Sequence, residues 1–210
     1  MSYTIHKLFP TPVYHSTIPA LDPITLHKLM NNEWVAPGYL GANRTHKESA
    51  NRKILHRPEL ANLKKIVQKH IDFYVFDVLG VAPGLSWEIS TSWVNQNSKG
   101  DFHDNHYHTN SMISGTLYLK VPDQSSSIFF HRDKGHENLW STLLIEFEKD
   151  NEYNVASIGL APNDFDILIF PSILAHSVTT NTNDEDRFSL AFNVWPRGTI
   201  GEGGNCELTL

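Results

Sequence analysis

The sequence predicts a mainly β protein, a sandwich or barrel of short strands with N-terminal helices packed outside it. Two observations carry that expectation. From Gly84 onward the apolar residues come in short runs, Trp87–Asn95, Ser114–Val121, Asp166–Phe170 and Phe188–Trp195 among them, bounded by Gly, Pro, Asn and Asp. Strands joined by turns read this way. Helical spacing is confined to the residues before Gly84. With 210 residues, no internal repeat and no low-complexity tract, the chain reads as one domain that buries about 70% of its extended surface. Residues 1–83 supply an arm, a loop and helices, and residues 84–200 the β core.

The elements follow in order. Residues 5–18 read as an opening strand or extended arm, kept at an edge by Pro10 and Pro12, because proline cannot donate to a ladder. Asp22-Pro23 caps a short amphipathic helix through Ile24, Leu26, Leu29 and Met30, with proline at the first helical position. Residues 31–53 are rich in Asn, Gly and charge and read as a long loop. His56–Leu79 is the clearest helix: Leu60, Leu63, Val67, Ile71 and Tyr74 recur at helical spacing and Gly80 ends it. Beyond the strands already named, Ser127–Phe130, Trp140–Glu148 and Asn154–Ile158 are expected to be strands. Asn181–Asp186 is a polar turn before the last one.

Composition narrows the function. Formal net charge is −6 with twelve histidines counted neutral, which disfavours a general nucleic-acid binder, since those carry a basic surface. A single cysteine, Cys206, forms no disulfide within one chain and fits a reducing compartment. The first twenty residues hold no apolar stretch long enough to cross a membrane. The expectation is a cytoplasmic protein, in a host cell's cytoplasm were it phage-encoded, with no membrane partner.

Three short motifs carry the chemistry. His106 and His108 stand two apart, and on a strand such residues point to one face. They can offer two imidazoles to one ion, whereas His103 would face elsewhere. Imidazole suits Fe, Zn, Cu and Ni alike, so the pair does not choose a metal. His176 follows the apolar run Ile167–Phe170 and Pro171, on an edge from which it can look into a cavity. The bland alternative is a histidine hydrogen-bonded in a turn. Arg187 and Ser189 share one face of the last strand, and an inward arginine needs an anion. An arginine fork with a hydroxyl beside it suits a ligand carboxylate. The competing reading pairs Arg187 on the surface with Asp184, Glu185 or Asp186.

With these residues in place, the chain resembles the 2-oxoglutarate- and Fe(II)-dependent oxygenases, and within them a family of marine bacteria and their phages. The matching stretches are Leu8–Val13, Trp93-Val94-Asn95, His106-Tyr107-His108 leading to Ser114–Leu119, Leu168–Ser172 with His176, and Arg187 to Asn193. The resemblance implies a double-stranded β-helix, the jelly-roll architecture, with Fe(II) as metal and 2-oxoglutarate as co-substrate. It carries the metal ligands onto His106, His108 and His176. His108 takes the place where a carboxylate is usual, and Asp104 is the spare carboxylate. It carries the co-substrate carboxylate onto Arg187 and Ser189, with Asn95 and Tyr118 as further donors and Asn193 as a weaker candidate. Trp93, Phe130 and Phe170 become cavity walls. The activity implied is oxidation, usually hydroxylation, of a substrate coupled to decarboxylation of 2-oxoglutarate to succinate.

Two other readings fit the same fold. A cupin-like metal dioxygenase would use three histidines without 2-oxoglutarate and would need no buried Arg187–Ser189 pair. A non-enzymatic jelly-roll binding or structural module would leave the three histidines apart. The substrate is a small molecule or a peptide, and Tyr39, Arg44, Lys47 and Arg52 in the loop 31–53 are candidates to contact it. An edge strand near Val13 could pair two subunits in a homodimer.

Overall fold

A computed structural model describes residues 1–37, 45–132, 146–201 and 206–210. The chain opens with an exposed arm and then β1 (Tyr14–Thr17), which is the edge expected from its prolines. Helix α1 (Pro23–Met30) starts where its cap predicts: Asp22 Oδ1 accepts from the backbone N–H of Thr25 at 2.9 Å. The segment read as one long loop contains two short strands, β2 (Trp34–Val35) and β3 (Lys47–Ser49). The pairing of β3 with β4 (Ser86–Asn97) decides this, not its polar composition. Tyr39 and Arg44 lie outside the described residues.

The second helix is shorter than its apolar spacing suggests. Two tight 3-10 turns, Ile54–His56 and Pro58–Leu60, precede α2 (Ala61–Asp72). Its last turns, Phe73–Val78, widen into a π-helix before Gly80 at φ 68°. Proline at 58 and the extended Arg57 before it break the early part.

The β core follows: β5 (His103–His106), β6 (Ile113–Lys120), β7 (Ile128–His131), β8 (Ser157–Leu160), β9 (Asp166–Pro171), β10 (His176–Val178), β11 (Arg187–Arg197), β12 (Thr199–Ile200) and β13 (Leu208–Thr209). The expected strand at Asn154–Ile158 begins later, at Ser157. Of the one expected at Trp140–Glu148, residues 140–145 lie outside the described set, and 146–148 are not in a strand. Among the described residues there is a seven-stranded antiparallel sheet, β1-β9-β6-β11-β4-β3-β2, and a four-stranded one, β5-β10-β7-β8. Together they make the mainly β jelly roll that the sequence predicts.

The large sheet is two-faced. Its outer face (Val94, Leu117, Leu190, Phe192) packs on Leu63, Val67 and Ile71 of α2 and on Ile54, Leu55 and Leu60 of the 3-10 turns. Its inner face turns toward the small sheet. A second apolar cluster of Tyr118, Ile128, Phe130, Leu168 and Phe170 fills part of the space between the sheets, and Phe130 belongs there instead of on the cavity wall. The rest is the cavity.

Gly115 sets how closely β6 approaches that outer core. A Cβ there would stand 2.3 Å from Phe192 Cζ and 2.7 Å from the Leu168 carbonyl oxygen, which is backbone and cannot step aside. Gly115→Ala is therefore expected to destabilise the fold by about 1–3 kcal/mol or more, read as a lower midpoint in urea or guanidinium unfolding. A midpoint equal to that of the wild type would show that Phe192 and the β9 backbone yield freely.

Candidate metal centre and anion cradle

A cavity of ≈ 500 Å³ opens between the sheets, with His106, His108, His176, Arg187 and Ser189 on its lining. Strand pairing brings the first two elements together: His176 of β10 lies directly opposite His106 of β5, and their ring centres are 4.3 Å apart. His108 arrives differently from its sequence spacing. Strand β5 stops at His106, so the two histidines do not share a regular strand. The turn after β5 is tied down by the His108 N–H donating to the Ser172 carbonyl at 2.9 Å. That turn lays the His108 ring over His106 in a stack at 5.4 Å. One ligand atom from each of His106, His108 and His176 lies within 4.8 Å of the others.

The outer contacts orient these rings. His106 Nδ1 lies 2.8 Å from the Asp104 carbonyl oxygen and His176 Nδ1 2.9 Å from the Leu174 carbonyl oxygen. A carbonyl only accepts, so both Nδ1 atoms carry the proton and Nε2 keeps its lone pair. His108 Nδ1 meets Asn193 Oδ1 at 2.7 Å and Ser114 Oγ at 3.0 Å. Ser114 itself donates to Asn193 Oδ1 at 2.8 Å and reaches Ser172 Oγ at 2.8 Å. Imidazoles held at one nitrogen by oxygen, with the other presented to a common point, suit a divalent transition ion. Asp104 is not in this group; its backbone serves His106 and its side chain is exposed. The serine network was not read from the sequence. Ser114, Ser172 and Ser111, whose Oγ accepts from Ser172 at 2.8 Å, are common residue types at ordinary spacing, and only the folded register brings them together beneath His108.

Arg187 is 2% exposed. It makes no ion pair among the described residues, and its Nε has no hydrogen-bond partner there. Asp184 and Glu185 instead pair with Lys99 and Lys120, while Asp186 accepts from Gln96. The surface reading of Arg187 therefore fails. Its guanidinium carbon sits 4.9 Å from the centre of the Tyr118 ring. Burial pulls the Arg187 pKa down from the ordinary arginine value, and Tyr118 works in the opposite direction. Burial pushes the Tyr118 phenol up to about 12, so it stays a hydroxyl donor at neutral pH. Ser189, 5% exposed, faces the cavity two residues on, and Asn95 Oδ1 accepts from Trp93 Nε1 at 3.0 Å.

His103 and Glu48 also line the cavity, although the sequence placed one elsewhere and the other in a loop. The His103 ring lies against that of His46, tilted by 33°, with ring centres 3.5 Å apart. Glu48 is 2% exposed, with Oε1 3.3 Å from His46 Nε2 and Oε2 against Arg52. Burial alone would raise the Glu48 pKa, but hydrogen bonds from His46 and Arg52 and the charge of Arg52 leave it below its ordinary value. Lys47, on the other side of β3, is exposed.

Comparison with known proteins agrees with the fold. A family model described as "Putative 2OG-Fe(II) oxygenase" matches residues 91–193, which take in all three histidines, Arg187 and Ser189. No curated protein matches the sequence. Among solved structures, the chain is similar to an oxidoreductase of the 2OG-Fe(II) oxygenase family from Burkholderia pseudomallei, with TM-score 0.57 and 14% identity over 81% of this chain and 76% of that one. It is similar to a prolyl-4-hydroxylase from Pseudomonas putida, with TM-score 0.54 and 14% identity over 89% and 94%. It is also similar to SnoN, a non-heme alpha ketoglutarate dependent epimerase from nogalamycin biosynthesis, with TM-score 0.56 and 14% identity over 94% and 88%. At these identities the likeness speaks for the fold.

Proposed function

Because the chain belongs to the 2OG-Fe(II) oxygenases, we propose that His106, His108 and His176 hold its iron and that Arg187 holds the far carboxylate of 2-oxoglutarate. The observation that carries this is a buried arginine with no ion pair among the described residues, in the same cavity as three imidazoles gathered within 4.8 Å. A buried guanidinium without an anion is costly, and a dicarboxylate co-substrate supplies that anion. A cupin-like site without 2-oxoglutarate would leave the cost standing.

Bound iron supplies the redox chemistry, coupling decarboxylation of 2-oxoglutarate with oxygen to oxidation of a substrate, which we take to be a hydroxylation. The protein's part is placement. Arg187 offers a fork of N–H donors to one carboxylate, with the Tyr118 and Ser189 hydroxyls beside it. Asn95, its carbonyl oxygen engaged by Trp93, has its amide N–H₂ to give. Asn193 and Ser114 keep His108 in the tautomer that presents Nε2. Phe170, edge-on to His176 at 4.9 Å, excludes water from one side of the metal site.

The substrate is a small molecule or a peptide. No helix among the described residues is long and apolar enough to cross a membrane. The lone, exposed thiol of Cys206 fits the reducing conditions of a cytoplasm. The exposed edge of β1 is where two copies would pair in a homodimer.

The direct test is succinate. With Fe(II), oxygen and 2-oxoglutarate, the protein is expected to form succinate above a protein-free iron control. No protein-dependent succinate, together with no binding of 2-oxoglutarate to the metal-loaded protein, would remove the assignment.

A further inference from the structure

The cavity is larger than a five-carbon co-substrate needs, and one row of side chains on its inner face is polar from one end to the other. Strand register shows the order. Glu48 pairs with Asn95, Asn95 with Ser189, and Ser189 with Tyr118, so these four stand in one row across β3, β4, β11 and β6. Adjacent strands are about 4.8 Å apart, which puts the Glu48 backbone roughly 14 Å from that of Tyr118. Arg187 lies at the Tyr118 end. If the co-substrate occupies that end, Glu48 marks the other.

The Glu48 end stays close to the metal ligands. Trp93 on its wall is 5.9 Å from the His108 ring, and His103 is 6.0 Å from the His106 ring, centre to centre. A molecule anchored at Glu48 and lying along Trp93 and His103 would reach the histidine triad within a few bond lengths. Its charge is set by the wall. Among the described lining residues, Glu48 and Asp104 carry the carboxylates, and Arg187 is the one lysine or arginine. With Arg187 committed to the co-substrate, no lysine or arginine among the described lining residues is left to receive an anionic substrate; Arg52, 5.6 Å from the Trp93 ring centre, is already paired with Glu48. A carboxylate has about four acceptor sites. His46 and Arg52 approach one oxygen each, which leaves acceptor capacity for a ligand's donors.

We propose that Glu48 is the anchor of the primary substrate, and that this substrate is a small molecule carrying a protonated amine. The proposal rests on the co-substrate lying at Arg187, as argued above. The amine would donate to the Glu48 carboxylate while the Trp93 ring covers the carbon skeleton, and a carbon some bonds from the nitrogen would face the metal.

The test is a binding titration that needs no turnover. Protein loaded with Mn(II) is first titrated with 2-oxoglutarate and then, saturated, with a panel of aliphatic and aromatic primary amines, their N-acetylated counterparts and polyols of similar size. At least one amine is expected to bind ten-fold or more tightly than its N-acetylated form. Glu48→Gln should erase that preference, and Glu48→Asp, which keeps the charge, should restore part of it. The first titration on each variant reports whether the cavity has kept its shape. Binding of 2-oxoglutarate with no preferred amine, or with polyols preferred, overturns the amine assignment and leaves the co-substrate reading intact. A preference that survives in a folded Glu48→Gln variant removes Glu48 as the anchor. Failure of 2-oxoglutarate to bind the wild-type protein defeats the co-substrate reading first, and the Glu48 proposal falls with it.

Discussion

His176→Ala is expected to lose its metal and, with it, all protein-dependent succinate formation. The residue is 5% exposed, on a three-residue strand held between β5 and β7, and it faces His106 directly across the ladder. Removing it leaves two of the three imidazoles. Losing an outer-shell partner of a metal ligand typically costs about 10- to 100-fold in affinity, and losing the ligand itself should cost more. Titration with Fe(II) under argon or with Mn(II), read by calorimetry, gives the number. Because His176 also packs edge-on to Phe170, the unfolding midpoint is measured beside it. His176→Gln, which fills more of the volume, separates a lost ligand from a damaged wall. Wild-type metal affinity in either folded variant would mean that the ion, if one binds, is held elsewhere.

Arg187→Met should act in two opposite directions. The side chain is 2% exposed, with Nε unpartnered among the described residues, so the ligand-free protein bears the cost of a buried, incompletely satisfied cation. Replacing it with an apolar chain of similar length is expected to leave stability unchanged or raise it, by as much as about 1–4 kcal/mol. Binding of 2-oxoglutarate should fall by about 3–5 kcal/mol, the usual cost of leaving one member of a buried charged pair alone, which is on the order of a hundred- to several thousand-fold. Metal affinity without co-substrate should change far less, since Arg187 is not among the three gathered histidines. Thermal melts and two titrations, metal and then 2-oxoglutarate, read all three quantities on one sample. Equal 2-oxoglutarate affinity in both proteins would take Arg187 out of the site. A large loss of stability would show instead that an interaction beyond Tyr118 satisfies the guanidinium in the free protein.

The sequence by itself determined the parts of this protein that depend on local pattern. Short apolar runs bounded by turn residues after Gly84 located the main strands, because a run that brief, closed by Gly, Pro, Asn or Asp, suits a buried strand better than a helix. Asp22-Pro23 started α1 at the right residue, since a cap is a local hydrogen bond. Arg187 and Ser189 were legible as an inward pair because residues two apart on a strand share a face whatever the strand pairs with. Tertiary structure decided the rest. Strand β3 exists through its pairing with β4, and that pairing turns Glu48 inward and buries it, although Lys47–Ser49 has little strand character of its own. His106 and His108 meet through a turn fixed by Ser172, not through strand alternation, and His103, expected to face away, lines the same cavity. The serines and Asn193 that orient His108 come from positions far apart in the chain. A periodicity records which face of an element is buried; it holds no information on which distant element will lie against that face, and the geometry of the three histidines depends on that second fact.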